Sequence, residues 1–301
     1  MNTLSRLTAS PKRATLIAGA LTLFSLVLFG VLIWTKQFGL LNLAYLGTSL
    51  LIAGWLYVAD SPLYFGFVLW SWFLTAFIRR VIDYQLGSFT PPGMSFSLLT
   101  PFAVTSLAAF DIPRFGSLLL RRRFVPFLLC LCGILYGFIL AIAWTDPKGA
   151  LIELLDWLPP LLIGFHLLVT WRSYPQYRRI AQRTFTWGML LIGLYGIAQF
   201  FFVPPWDAFW MVESEMASIG QPQPMEVRVF STLDSPGPFA TVMLTGVILL
   251  FSRPSFFTLM AAVPGYMSFL LSMVRGAWLG WVVAIGTLFV RLKRDMRLRL
   301  L

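Results

Sequence analysis

The stretch RVFSTLDSPGPFA, residues 228–240, interrupts an otherwise oily chain with an arginine, hydroxyls, an aspartate and a Pro-Gly-Pro. Ser235 followed by Pro236 reads as a helix N-cap with proline in the first helical position. A helix start offers unpaired N–H groups and partial positive charge, a natural seat for an anion, and the guanidinium of Arg228 beside it adds a fork that fits phosphate oxygens. A second stretch, SMVRGAWLGW at 272–281, sets Arg275 at the junction of two apolar runs, with Gly276 and Gly280 allowing close backbone approach. Arginine at such depth is costly unless it is paired or functional. Two arginines on one face point to an anionic ligand. The structural alternative is snorkelling to lipid headgroups, or pairing with Glu226, Asp234 or Glu215.

Other polar residues carry less specific signals. PPWDAFWMVESEM, residues 204–216, predicts a short interfacial helix with Trp206 and Trp210 four apart on one face. Those rings could stack on sugars or anchor the chain at the membrane surface. Arg79 and Arg80 lie near Asp83 and could line a glycan or phosphate path, with pairing to Asp83 as the alternative. His166, the single histidine, sits deep in an apolar run and reads as a packed, hydrogen-bonded side chain. Cys130 and Cys132 face different directions on one helix and read as packing residues. No phosphate-cradling glycine loop, Ser/His/Asp arrangement or metal cluster is found, so no cofactor is expected.

These residues are carried by a polytopic membrane chain. Of the 301 residues 58% are hydrophobic and 12% charged, with a mean hydropathy of +0.79. That is far from the roughly quarter-charged soluble norm. The net charge of +11 is gathered in short clusters between apolar runs, which indicates membrane topology and excludes a nucleic-acid partner. About ten runs approach the length of a bilayer-crossing helix, near 14–34, 39–59, 61–78, 95–110, 124–144, 154–171, 185–204, 236–252, 255–272 and 275–291. With both termini cytoplasmic, 17 of the 23 lysines and arginines fall inside, as the positive-inside rule requires. The six outside are Lys36, Arg79, Arg80, Lys148, Arg228 and Arg275. The basic cluster 121–123 and the basic tail suit anionic lipids. Residues 205–235 become the longest extracytoplasmic loop.

VRVFSTLDSPGPFATVMLTG, followed by SMVRGAWLGWVVA, resembles the signature half of the O-antigen ligase and polymerase family of bacterial surface-glycan enzymes, best from about residue 185 onward. The chain thus divides into N-terminal transmembrane helices, 1–184, and a partial ligase-type domain, 185–301. The resemblance implies an all-α, glycosyltransferase C-like membrane protein of the plasma (inner) membrane. Such a protein moves a glycan, without a metal, from a polyprenyl diphosphate to a lipid or glycan acceptor on the extracytoplasmic face. It further implies that Arg228, Arg275 and the helix start at Ser235 seat the diphosphate. Arg79, Arg80, Trp206 and Trp210 are further candidates for glycan contact.

Members of the family usually continue into a large outer loop with a histidine proposed as base. This chain lacks that part, and His166 is expected on the cytoplasmic side. Three readings follow: the chain is the front of a longer or split protein, a carboxylate among Glu213, Glu215, Glu226 and Asp234 replaces the base, or the protein does not catalyse. Some relatives have been assigned to inorganic carbon uptake, so an anion transporter is the alternative function. A carrier should show repeated halves with broken helices meeting at the midplane; here the distinctive polar motifs gather at one face.

Overall fold

The computed structural model describes residues 11–90, 95–115, 122–144, 147–251 and 255–291. Among the described residues, twelve α-helices run in the order α1 Pro11–Trp34, α2 Phe38–Val58, α3 Leu63–Leu86, α4 Phe96–Ser106, α5 Asp111–Phe115, α6 Val125–Trp144, α7 Pro147–Val169, α8 Tyr174–Phe202, α9 Pro205–Glu213, α10 Pro236–Leu250, α11 Phe256–Leu271 and α12 Arg275–Arg291. No strand forms among the described residues; one isolated bridge joins Gly220 and Val227. The fold is all-helical, and the apolar runs are the reason: backbone donors and acceptors removed from water are satisfied within each helix. Seven helical segments are long and apolar enough to cross a membrane, ending with Trp171–Phe202. One of them, Phe96–Pro113, extends α4 through a 3-10 turn into α5. The last three apolar runs form shorter helices, α10 to α12. The basic residues Arg6, Arg121, Arg253, Lys293, Arg294, Arg297 and Arg299 lie outside the described residues.

The chain separates into two compact units, one of residues 1–75 and 90–180, the other of 76–89 and 181–301. Helix α3 therefore begins in the first and ends in the second. In the first unit α1 packs on α2, α2 on α4, α4 on α7, and α6 on α7. Its core gathers Ala18, Ile52, Ala53, Leu56, Tyr57, Tyr64, Val68 and Val104. Tyr64 Oη donates to the Val104 carbonyl at 2.8 Å, and Trp72 Nε1 to Thr105 Oγ1 at 3.1 Å, so polar atoms within the helices find partners. Helix α6 buries none of its residues. Cys130 and Cys132 are exposed on it and do not pack within the chain as the sequence suggested. An apolar helix in lipid has no hydrophobic drive to bury its sides.

In the second unit small residues set the helix spacing. A Cβ on Gly193 would stand 2.8 Å from the Gly265 nitrogen and the Pro264 carbonyl carbon, so α8 and α11 touch backbone to backbone. Gly246 and Gly265 both leave room for Met189, whose Sδ would lie 2.5 Å and 2.9 Å from added methyls. Gly193→Val drives its branch into the α11 backbone and is expected to cost about 1–3 kcal/mol. The heat-induced aggregation temperature of the detergent-solubilised chain checks this, and Gly237→Ala, where a Cβ meets nothing within 4 Å, should leave it unmoved.

Candidate functional site

The site lies in the second unit, on the segment from the end of α8 to the start of α10. Val203 leaves α8 in a left-handed conformation (φ 43), Pro204 precedes α9, and a 3-10 turn over Ala217–Ile219 follows. Gly220 (φ 86) makes the next turn possible: a Cβ there would come within 2.2 Å of the Glu226 carbonyl oxygen. The chain then doubles back, with Arg228 N donating to Ile219 O at 3.0 Å and Val229 N to Leu271 O at 3.1 Å. Val203, Trp210, Met211, Ile219, Val227 and Phe230 form the apolar cluster that fastens the loop.

From Phe230 to Leu233 the backbone is gripped by side chains from two helices. Gln199 Oε1 on α8 accepts from Phe230 N at 3.0 Å and from Ser231 N at 2.7 Å. On α3, Arg80 Nη1 donates to Leu233 O at 2.5 Å, and Nη2 donates to Ser231 O. The backbone N–H of Phe77 donates to Thr232 O at 3.0 Å. Ser231 takes a left-handed conformation (φ 50), stabilised by its Oγ donating to Ile192 O at 2.6 Å. Arg80 Nε also pairs with Asp207 Oδ1 at 2.8 Å, both side chains 0% exposed. Asp207 Oδ2 accepts from Gln199 Nε2 and Tyr195 Oη, each at 2.7 Å, and Trp206 Nε1 donates to Tyr195 Oη at 2.6 Å. A buried ion pair is sustainable when its remaining atoms are hydrogen-bonded in this way. The Arg80 guanidinium also lies 4.9 Å from the centre of the Phe230 ring.

Arg228 follows immediately before this gripped stretch. Its side chain is half-buried, and Nη2 donates to the Met273 carbonyl at 3.0 Å. Met273 (φ 54) lies in the turn between α11 and α12, and Arg275 is the exposed first residue of α12. Arg228 is thus tied to the turn that carries Arg275. Among the described residues neither arginine has an ion-pair partner, and Arg228 Nε, itself buried, has no hydrogen-bond partner. Ser235 occupies the N-cap of α10 with extended backbone and Pro236 behind it, but its side chain makes no cap bond.

The other expected site residues separate. Arg79 pairs with Asp83 at 3.3 Å, and its guanidinium lies 4.7 Å from the Trp210 ring and 5.1 Å from Phe89. Arg79, Arg80 and Trp210 are interior, so they present no surface to a glycan; the pairing alternative with Asp83 is the one realised for Arg79. Trp206 is half-buried against Tyr195. Glu213, Glu215 and Glu226 are exposed. Asp234 is exposed as well, while the protein around it raises its carboxyl above the ordinary carboxylate range, against the pull of Arg80 and Arg79. His166 belongs to the other unit and is buried and hydrogen-bonded, as its apolar surroundings suggested.

Asp207, Gln199 and Tyr195 were missed in the sequence. Gln199 carried the one available signal, an uncharged amide inside an apolar run, where a polar side chain needs a partner. Compared with family models, with curated proteins and with solved structures, the chain matches none.

Proposed function

We propose that this chain transfers a glycan from a polyprenyl-diphosphate donor to a hydroxyl of a lipid or glycan acceptor. It would act as a ten-span, glycosyltransferase C-like protein of the plasma membrane, with both termini cytoplasmic and its chemistry on the outer face. The observation that carries the reading is the fastening of Arg228 to the turn of Arg275, with neither cation neutralised by a carboxylate among the described residues. A cation fastened to the turn that precedes a second cation suits a ligand with two adjacent anionic groups.

In the step proposed, the acceptor oxygen attacks the anomeric carbon and forms the new glycosidic bond. The bond from that carbon to the diphosphate oxygen breaks, and polyprenyl diphosphate leaves with the electron pair. Arg228 and Arg275 stabilise the charge that develops on the leaving group. The acceptor proton passes to a carboxylate, and Asp234 is the best suited: it is exposed beside the start of α10 on the segment that carries Arg228, and the protein around it raises its carboxyl toward the operating pH, where a base works most efficiently. Asp234→Asn is therefore expected to slow transfer by about 10²–10⁴-fold with donor binding retained. The check is acceptor-dependent release of polyprenyl diphosphate by the reconstituted chain. An Asp234→Asn protein that transfers at the wild-type rate removes Asp234 from the role. Uptake of bicarbonate into proteoliposomes, with no diphosphate released, overturns the transfer reading itself.

A further inference from the structure

The first unit holds a cavity of about 450 Å³ at one end of its helices. It is lined by Leu56 and Tyr57 of α2, Asp60 and Ser61 of the following turn, Tyr64 of α3, His166 and Val169 of α7, the turn 170–173, and Tyr177 of α8. That volume is in the range of small-ligand pockets, roughly 300–1,000 Å³.

The floor is built around a fixed acceptor. Asp111 Oδ1 accepts from Tyr57 Oη at 2.9 Å, and Asp111 Oδ2 lies 2.6 Å from His166 Nδ1. With the Asp111 carboxylate accepting from Nδ1–H, the neutral ring carries its lone pair on Nε2, on the side of Tyr177. Tyr177 Oη stands 3.4 Å from Nε2, longer than an ordinary O–H hydrogen bond, so a better donor can replace it. The rings of Tyr64, Tyr57 and Tyr177 surround the imidazole with centroids 5.3, 5.9 and 6.1 Å away. Phenol faces attract a cation. Both charged side chains that line the cavity, Asp60 and Arg172, are exposed and bring opposite signs.

We propose that this cavity is a binding site for a phosphoethanolamine group. The ammonium donates to His166 Nε2 among the tyrosine rings, and the phosphate meets Arg172. Asp111 acts by holding the imidazole in the accepting tautomer. The cavity opens where spanning helices end, the level at which phospholipid headgroups lie, so an ethanolamine phospholipid and a soluble phosphoethanolamine share the chemistry required. The site is independent of the reading of Arg228 and Arg275.

The test uses the full chain labelled with ¹⁵N-histidine, in which His166 is the single histidine and gives an unambiguous signal. The chain is placed in nanodiscs of phosphatidylglycerol mixed with either phosphatidylethanolamine or phosphatidylcholine, whose trimethylated nitrogen donates no hydrogen bond. The ethanolamine lipid should shift the Nε2 resonance and the choline lipid should not, with Arg172→Gln weakening the response by about tenfold, the loss of one charge-assisted contact. A shift produced equally by soluble O-phosphoethanolamine in choline nanodiscs supports the site and identifies the free group as sufficient. No shift with either source, or equal shifts with ethanolamine and choline lipids, overturns the proposal. Arg172 is exposed, so its variant reads binding without disturbing the core.

Discussion

Arg80→Ala is expected to destabilise the second unit by about 3–5 kcal/mol, the cost of leaving a buried partner charge uncompensated. The change strands Asp207 with no exposed surface and releases the carbonyls of Ser231 and Leu233 together. Asp207→Asn should cost less. It removes the charge on one side, but an amide oxygen can still accept from Gln199 or Tyr195, the partners of Oδ2. Thermal unfolding of the purified variants measures both. Proteolysis adds a local readout: cleavage between 226 and 235 should accelerate in Arg80→Ala before global unfolding, since this stretch depends on Arg80 for its anchorage. An Arg80→Ala protein as stable as wild type would show that the network contributes no net stability.

The second large effect is expected at Arg228. Arg228→Lys keeps the positive charge but loses the planar fork, and with it the ability to hold the Met273 carbonyl while presenting further N–H groups to a ligand. Transfer should fall by about 10²–10³-fold, the range seen when one preorganised donor to a developing negative charge is removed. Stability should change little, because the Arg228 side chain is only half-buried and in no ion pair among the described residues. Thermal unfolding beside the transfer assay separates the two roles: Arg80 acts on the scaffold, Arg228 on the ligand. Loss of stability in Arg228→Lys equal to that in Arg80→Ala would make Arg228 a structural residue.

The all-helical fold was legible in the sequence because the apolar runs are long and uniform, but the run 95–110 divides into α4 and a 3-10 turn leading to α5, and the last three runs form helices shorter than the seven long enough to span. The Ser235-Pro236 start of α10 and the Arg275 start of α12 were legible from local chemistry. Pairings distant in sequence were not. Arg79 could be matched to Asp83 because four residues make one helical turn. Nothing local links Arg80 to Asp207, and a neighbouring arginine on the same helix turns to a different partner. Trp206 and Trp210 have the spacing of one helical face, but what covers that face comes from α3, where Arg79 sits over Trp210. Their burial was therefore invisible, and residues suited to sugar stacking by type are interior or half-buried by position. Cys130 and Cys132 show the opposite case: an apolar helix reads as packed, while α6 buries none of its residues.

The surface-polysaccharide profile and the polyprenyl-linked glycan pool of a deletion strain, complemented with wild type or with Arg228→Ala, test glycan transfer most directly. The expected result is depleted surface glycan with accumulation of the lipid-linked precursor, restored by wild type and not by Arg228→Ala. Unchanged surface glycan and an unchanged precursor pool in the deletion strain would contradict it.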